Sequence, residues 1–212
     1  MGGILDRFAS GEYEEQEENL GGRGFNDLPV GAWVVLRAMP GDSGAASGVE
    51  ELGTDENKFY KLKLGLVAIG GDETVDASKQ PYSIQFVRFG VDTKDKPGVP
   101  SGLLVGLRNA FFAPGVKDPK ERSRKALEVL DASVTEAGVD LSDDNDAVAT
   151  AKAFAIALGQ HQPAIIAKTF MTKKKEYTKK DGTTGVNEPR LAVGDWKELS
   201  AEALAEHGIR IW

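Results

Sequence analysis

The chain has 212 residues, of which 41% are hydrophobic and 28% charged, and this near-average composition excludes wholesale disorder. It contains no cysteine and only two histidines, which excludes disulfides, thiolate zinc sites, cysteine nucleophiles and multi-histidine metal centres. The sequence shows neither an apolar run of about 18 residues nor the pattern of a signal peptide. A cytoplasmic location without membrane attachment is therefore expected by default.

The net charge of −7 is unevenly distributed along the chain. Residues 1–57 hold 12 Asp and Glu against 3 Lys and Arg, whereas residues 168–190 hold 7 Lys and Arg against 3 Asp and Glu. A basic stretch inside an acidic protein is more informative than the net charge, because it predicts a local site for an anionic partner.

Residues 1–28 are predicted to be an acidic, glycine-rich N-terminal extension. The acidic run at residues 12–18 is typical of a solvated tail. The aromatic residues Phe8, Tyr13 and Phe25 leave open an ordered, partner-binding segment instead. The rest of the chain is expected to form one domain, residues 29–199, followed by a C-terminal helix and tail, residues 200–212.

Three strands are predicted after the extension. Residues 32–38 are rich in β-formers, and residues 58–69 alternate between apolar and mixed positions. Residues 39–57 are interpreted as a long connection, and residues 82–89 as the third strand. In the second strand the predicted core face is formed by Tyr60, Leu62, Leu64 and Leu66.

Residues 101–160 are predicted to form a helical insertion, because the hydrophobic period changes there from two to about 3.6. Ser101 is expected to cap the first helix. Asp118, followed by proline, begins the second helix, and Gly138 ends it. The third helix is expected to end at Gly159.

Strands return after the insertion. Residues 164–172 and 190–196 are predicted strands, and residues 173–190 form a hairpin arm around the turn signal Asp181-Gly182. The order predicts a mainly β chain with a helical insertion (α+β), namely a five-stranded OB-fold barrel with helices between strands 3 and 4. An unrelated α+β domain with an antiparallel sheet has the same element order and stays open.

Strands one, two and four each place an aromatic ring and cations on the face opposite the predicted core. Rings that stack on bases, beside cations that contact phosphates, are typical of single-strand binding. Packing under helices or edge protection would explain any one strand alone, but three strands agree. The residues are Trp33 and Arg37 on strand one, Phe59, Lys61 and Lys63 on strand two, and Lys168 and Phe170 on strand four. The pattern does not decide which face of the third strand is core, and Arg88 is expected near its rim.

The hairpin arm adds a basic finger with one tyrosine. In OB folds the loop between strands four and five is one of two that bind nucleic acid, although a solvated, charged turn would have a similar composition. The candidate residues of the arm are Lys173, Lys174, Lys175, Tyr177, Lys179, Lys180 and Arg190.

Catalytic signals are weak. A phosphate loop fails because no Lys-Ser/Thr follows Gly70 and Gly71, and a nucleophile elbow is missing. Asp92-Thr93-Lys94 is the single triplet of the shape that a metal-dependent nuclease uses. We therefore predict no catalytic residue, no metal and no cofactor.

Residues 28–196 resemble phage-type single-stranded DNA-binding proteins. The resemblance rests on the acidic leader, the strand LPVGAWVVLRA, the Lys58–Ile69 strand, the helical insertion and the lysine-rich hairpin that ends in NEPRLAVGDW. It implies an OB barrel that coats single-stranded DNA during phage replication or recombination, without enzymatic activity. Many bacterial relatives recruit partner enzymes through an acidic C-terminal tail, whereas here the acidic run lies at residues 12–18. Recruitment of replication or recombination proteins would therefore use the N-terminal segment.

Two other functions stay open at this point. The barrel could be the scaffold of a protein-interaction or phage structural module, or the chain could be a metal-dependent nuclease. Salt-dependent retention on single-stranded DNA would distinguish a DNA binder from an interaction or structural module. Mg²⁺-dependent cleavage of DNA would identify a nuclease.

Overall fold

A computed structural model describes residues 4–11, 13, 28–38, 49–54, 57–76, 85–178 and 183–212. The elements in chain order are α1 (Ile4–Ser10), β1 (Trp33–Ala38), β2 (Val49–Thr54), β3 (Asn57–Gly71), β4 (Gln85–Gly90), α2 (Gly102–Phe112), α3 (Pro119–Ala137), α4 (Asp146–His161), β5 (Ala164–Met171), β6 (Lys175–Thr178), β7 (Thr184–Asn187), β8 (Leu191–Glu198), α5 (Ala201–Glu206) and β9 (Arg210–Ile211). The predicted α+β class is confirmed.

The long strand β3 organises the main sheet, in which all pairs are antiparallel. Its first half pairs with β2 and its second half with β1 along one edge, while β4 and β9 pair along the other edge. From β1 the sheet continues through β5 to β8. Crossing the middle of β3, the strand order is therefore β4-β3-β1-β5-β8.

The sheet is open rather than closed into a barrel. Among the described residues no pairing joins β4 to β8, and α2 packs against β4, β5 and β8. The helices cover the concave apolar surface that barrel closure would otherwise bury. The closed five-stranded barrel of the sequence prediction is thus not what the described residues form, and β2 and β9 are strands that the sequence did not indicate.

One face of the sheet packs on the helical insertion and forms the main core. Leu62, Leu64 and Leu66 of β3 are 0–5% exposed, as their alternation predicts. They join Val34 and Leu36 of β1 in one apolar cluster with residues of α2, α3 and α4. We call the opposite side of the sheet the outer face.

The predicted helix starts are confirmed at atomic level. Ser101 Oγ accepts from the Leu104 amide, and Asp118 Oδ1 accepts from the Glu121 amide at 2.8 Å. Gly138 ends α3 in the left-handed conformation with φ 64°. The predicted end of α4 at Gly159 is wrong, because the helix continues to His161 and stops at Gln162 (φ 44°); one glycine in a helix costs only about 1 kcal/mol.

The described part of the predicted N-terminal extension packs into the domain. Ile4 and Tyr13 belong to the main core cluster. The Tyr13 hydroxyl lies 2.8 Å from Thr150 Oγ1 and accepts from the buried Arg108 at 3.2 Å. The acidic residues of the run at 12–18 lie outside the described residues. Within the described ranges, no helix combines the length and apolarity that crossing a membrane requires.

Candidate nucleic-acid interface

The predicted rings and cations of β1, β3 and β5 lie on the outer face. Phe59 is 43% and Phe170 38% exposed, and Lys63 and Arg37 are exposed. Two surfaces can be distinguished on this face. We call Trp33, Lys168, Phe170, Lys197 and His207 the Trp33 patch, and Phe59, Lys61 and Lys63 the Phe59 patch.

The backbone of Trp33 is fixed at the end of β1. Its amide donates to Asp72 Oδ2 at 2.6 Å, and the Asp72 amide donates to the Trp33 carbonyl at 2.9 Å. In the sheet register Trp33 is the partner of Lys168 on β5. The indole is therefore held beside a cation by two reciprocal hydrogen bonds and a strand pairing.

Two ammonium groups approach the indole. Lys168 Nζ lies 5.5 Å and Lys197 Nζ 5.1 Å from the ring centroid, both within the range of a cation–π interaction. Within the described part of the chain Lys168 has no carboxylate partner. Lys197 lies just beyond the predicted strand of residues 190–196. A register shift between β5 and β8, beside Asp195 with φ 47°, pairs Lys197 with Ile166 on the outer face.

The indole is also covered by a ring that the sequence did not indicate. The imidazole of His207 stacks on Trp33 with a centroid distance of 3.8 Å and an interplanar angle of 10°. Lys197 Nζ donates to His207 Nε2 at 2.7 Å. Trp33 is thus half-buried and stacked within the chain, although the strand alternation predicts a ring that is open to solvent.

An apolar cluster on the outer face explains why His207 reaches Trp33. Val35 and Ile166 are fully buried there beneath Ile209, with Leu204 of α5 packed against them. Val35 alternates with the core residues Val34 and Leu36 and so lies on the outer face, yet it is shielded from solvent for this reason. The C-terminal residues cover the centre of the outer face and carry His207 to the indole.

The Phe59 patch is open to solvent but has an acidic neighbour. Lys61 Nζ lies 5.5 Å from the Phe59 ring centroid. In the register Lys61 is the partner of Glu50 on β2, and Lys63 is the partner of Arg88 on β4. Since Glu50 lies on a strand that the sequence did not indicate, the carboxylate beside Lys61 could not be anticipated.

The two patches lie at opposite ends of β3. Val34, next to Trp33, pairs with Gly71, whereas Phe59 stands near the start of the strand. At about 3.3 Å per residue, the twelve positions from Phe59 to Gly71 correspond to roughly 40 Å along a straight strand. Arg37, paired with Val67 and Ala164, lies between them. The predicted common surface is therefore divided in two, with one arginine between its parts.

The basic arm continues directly from β5. Lys173, Lys174 and Lys175 are exposed, and Lys174 Nζ lies 3.8 Å from Glu188 Oε1. Strands β6 and β7 pair across the predicted hairpin, with the backbone of Tyr177 in β6. Arg190 is exposed and its amide donates to Thr172 Oγ1 at 2.9 Å. Lys179, Lys180 and the Asp181-Gly182 turn lie outside the described residues. The arm thus leaves the sheet beside Phe170.

The nuclease candidate Asp92 has a structural role in its loop. Its Oδ1 accepts from the Thr93 amide at 2.7 Å and from the Gly98 amide at 2.8 Å, which ties the loop that leads from β4 to α2. Across the described ranges, no group of three or more His, Asp and Glu residues is placed to hold a metal ion. The candidate interface therefore consists of aromatic and cationic groups, whose chemistry is stacking and anion binding.

Comparisons of the chain with protein-family models, with curated proteins and with solved structures find no match.

Proposed function

We propose that this protein binds single-stranded DNA through the outer face of its sheet and the basic arm. The observation that carries the proposal is the Trp33 patch: an indole with two lysine ammonium groups within 5.5 Å, beside the exposed Phe170 and the start of the arm. A ring next to cations suits a strand of nucleotides, because each nucleotide offers a flat base and an anionic phosphate.

The strand order supports an OB-type assignment. In this proposal β1, β3, β4, β5 and β8 would correspond to strands one, two, three, four and five of an OB fold, with the helical insertion between strands three and four. OB folds are partly open barrels, and here α2 packs against both strands that closure would join. The arm then corresponds to the loop between strands four and five, which binds nucleic acid in such folds.

The mechanism is stacking and charge neutralisation, with no bond made or broken. Trp33, Phe59 and Phe170 offer planar surfaces to bases, each worth about 1–3 kcal/mol. The lysines of the two patches and the arm neutralise phosphates and release counterions. Arg37 would contact the backbone of a strand that follows β3 from one patch to the other.

A role in phage replication or recombination is part of the proposal. It rests on the resemblance of residues 28–196 and on the sequence-independent character of stacking. In such a role the acidic run at residues 12–18 would contact basic surfaces of replication or recombination proteins, and it would compete with DNA for the lysine arm.

A protein-interaction module is the second candidate, and one observation favours it. Met171 is 49% and Val186 41% exposed, which puts apolar side chains next to the basic arm. A protein partner would use that apolar area, and its binding would depend weakly on salt.

A fluorescence titration with oligo-dT at two salt concentrations tests the proposal. With roughly four to six phosphate contacts, the log–log slope of affinity against salt is expected to be about −3 to −4. A flat salt response, or no binding at low salt, would contradict it. Incubation of labelled oligo-dT with Mg²⁺ and the protein is expected to leave the strand intact, and cleavage would favour the nuclease alternative.

A further inference from the structure

Residues Glu206 and His207 lie on the Trp33 patch, against the indole and Lys197. The His207 ring lies 3.8 Å from the indole and nearly parallel to it, which is the arrangement of a base stacked on an aromatic side chain. Glu206 Oε1 lies 3.4 Å from Lys197 Nζ, where the phosphate beside such a base would lie. One flat ring and one anion are thus presented by two consecutive residues.

The lysine contacts follow the same pattern. Lys197 Nζ donates to His207 Nε2 at 2.7 Å and also faces Glu206. Its ammonium group thus has two partners in residues 201–212, which we call the C-terminal segment. If the segment moved away, Lys197 and Lys168 would both face the uncovered indole. The backbone of Trp33 is held by Asp72 rather than by α5, so the position of the residue in β1 does not depend on the C-terminal residues.

The segment that carries these residues is weakly attached compared with the main helices. The six-residue helix α5 has no buried residue. The short strand β9 pairs with β3 at Gly70–Ile211 and Gly71–Arg210, and the Trp212 amide adds one hydrogen bond to the Ile69 carbonyl at 3.1 Å. Its main apolar anchor is Ile209, which is 8% exposed. Segments with few buried contacts open at low free-energy cost, so the cover can leave without disrupting the main core.

We propose that the face of Trp33 under His207 is a nucleobase-binding position, and that Glu206 and His207 are a displaceable nucleotide mimic that covers it. This inference rests on the proposed function, since the ligand is a base with its phosphate in single-stranded DNA. A base can bind at this position only when Glu206 and His207 have moved away. The apparent affinity is therefore the intrinsic affinity multiplied by the fraction of molecules in which the indole is uncovered.

The affinities of four variants for oligo-dT, each compared with that of the wild type, test the inference. His207→Ala removes the stacked ring and is expected to tighten binding about three- to tenfold, the range that the loss of one aromatic pair predicts. His207→Phe keeps a stacked ring and is expected to bind no more tightly than the wild type. Glu206→Gln is expected to tighten binding by a smaller factor. His161→Ala, at the end of α4, is the matched control and is expected to bind as the wild type does.

Imidazole resonances in the wild-type protein give a readout that does not depend on a variant. The chain has only two histidines, so the spectrum of His161→Ala assigns both. The ring protons of His207 are expected to be shifted upfield by the indole, and saturation with oligo-dT should return them to ordinary positions while those of His161 stay unchanged.

The outcomes separate the inference from the proposed function. Suppose that the wild type binds oligo-dT but His207→Ala binds no more tightly, or that the His207 resonances do not move at saturation. Either result would contradict the proposal that Glu206 and His207 are a displaceable nucleotide mimic, while the proposed DNA binding would stand. If neither the wild type nor His207→Ala binds oligo-dT, both the proposed function and the inference are wrong.

Discussion

The Trp33 patch and the Phe59 patch share a motif but differ in their surroundings. Each places two lysines beside a ring on the outer face of the sheet, and the Trp33 patch adds Phe170 and His207. Trp33 is covered by His207, and of its two lysines Lys197 faces Glu206 of the covering residues. Phe59 is exposed, and its neighbour Lys61 has Glu50 opposite it on β2. The difference shows that access and local charge, rather than residue type, separate two sites that look alike along a strand.

The largest effect on oligo-dT binding is expected from removing the lysines of the arm. Replacing Lys173, Lys174 and Lys175 by Ala removes three exposed cations, so the salt slope for oligo-dT is expected to fall by about 2 and the affinity by roughly 100-fold near 0.1 M salt. Titrations at several salt concentrations measure both quantities. Lys61→Ala with Lys63→Ala is the matched comparison and is expected to change the slope less, because Glu50 lies opposite Lys61. An equal change per lysine removed would show that the arm and the Phe59 patch contribute alike.

Trp33→Ala is expected to weaken oligo-dT binding by about 2–3 kcal/mol, the upper range for loss of one stacking ring, because two lysines lie beside the indole. The melting temperature is also expected to fall, since the stack with His207 and its neighbours is lost. Affinity from the titration and melting by circular dichroism are compared in the same buffer. A variant that melts lower but binds as tightly as the wild type would assign Trp33 to packing alone.

Phe59→Ala is expected to weaken binding by about 1–2 kcal/mol, with little change in stability, because the ring is 43% exposed and such surface changes stay within about 0.5 kcal/mol. Tyr60→Ala is the control on the opposite face. Tyr60 packs against the main core, so its loss is expected to cost about 1–3 kcal/mol of stability.

Measured together, the two variants give a clear contradiction if the assignment is wrong. Should Tyr60→Ala bind poorly while remaining as stable as the wild type, the ring that stacks on DNA would be Tyr60. Should neither variant change oligo-dT affinity, the Phe59 patch would lie outside the interface and the Trp33 patch would act alone.

The smallest effect is expected far from both patches, at the start of α3. The hydrogen bond from Arg124, together with the charges of Arg124 and Lys125, lowers the pKa of Glu121. A carboxyl whose pKa is lower in the folded state stabilises it above the unfolded pKa, and this contribution disappears as the pH falls through the folded pKa. Glu121→Gln is therefore expected to melt slightly below the wild type near pH 7, and the difference is expected to close as the pH falls through the lowered pKa of Glu121.

Oligo-dT binding by Glu121→Gln should equal that of the wild type, because α3 packs on the core face of the sheet. A changed affinity in this variant would show that charge anywhere on the protein affects binding, and the comparison of the patches would lose its meaning.

Much of the fold follows from local patterns. The alternation in β3 identified Leu62, Leu64 and Leu66 as core, because every second residue of a strand shares a face. Asp118 with Pro119 and Gly138 marked the ends of α3, since capping depends on a few neighbouring backbone groups. β2 could not be predicted in the same way, because its Val49–Thr54 segment becomes a strand through pairing with β3.

By itself the sequence determined which residues share a strand face and which segments are basic, because both are properties of neighbouring positions. Only the tertiary structure decided that Val35 and Ile166 are buried beneath Ile209 and that His207 covers Trp33. It also decided that Trp33 lies beside the end of β3 that is far from Phe59, because that separation is set by the register of β1 on β3. Burial of an outward-facing residue depends on which distant segment packs over it, and no local pattern around Trp33 contains that information.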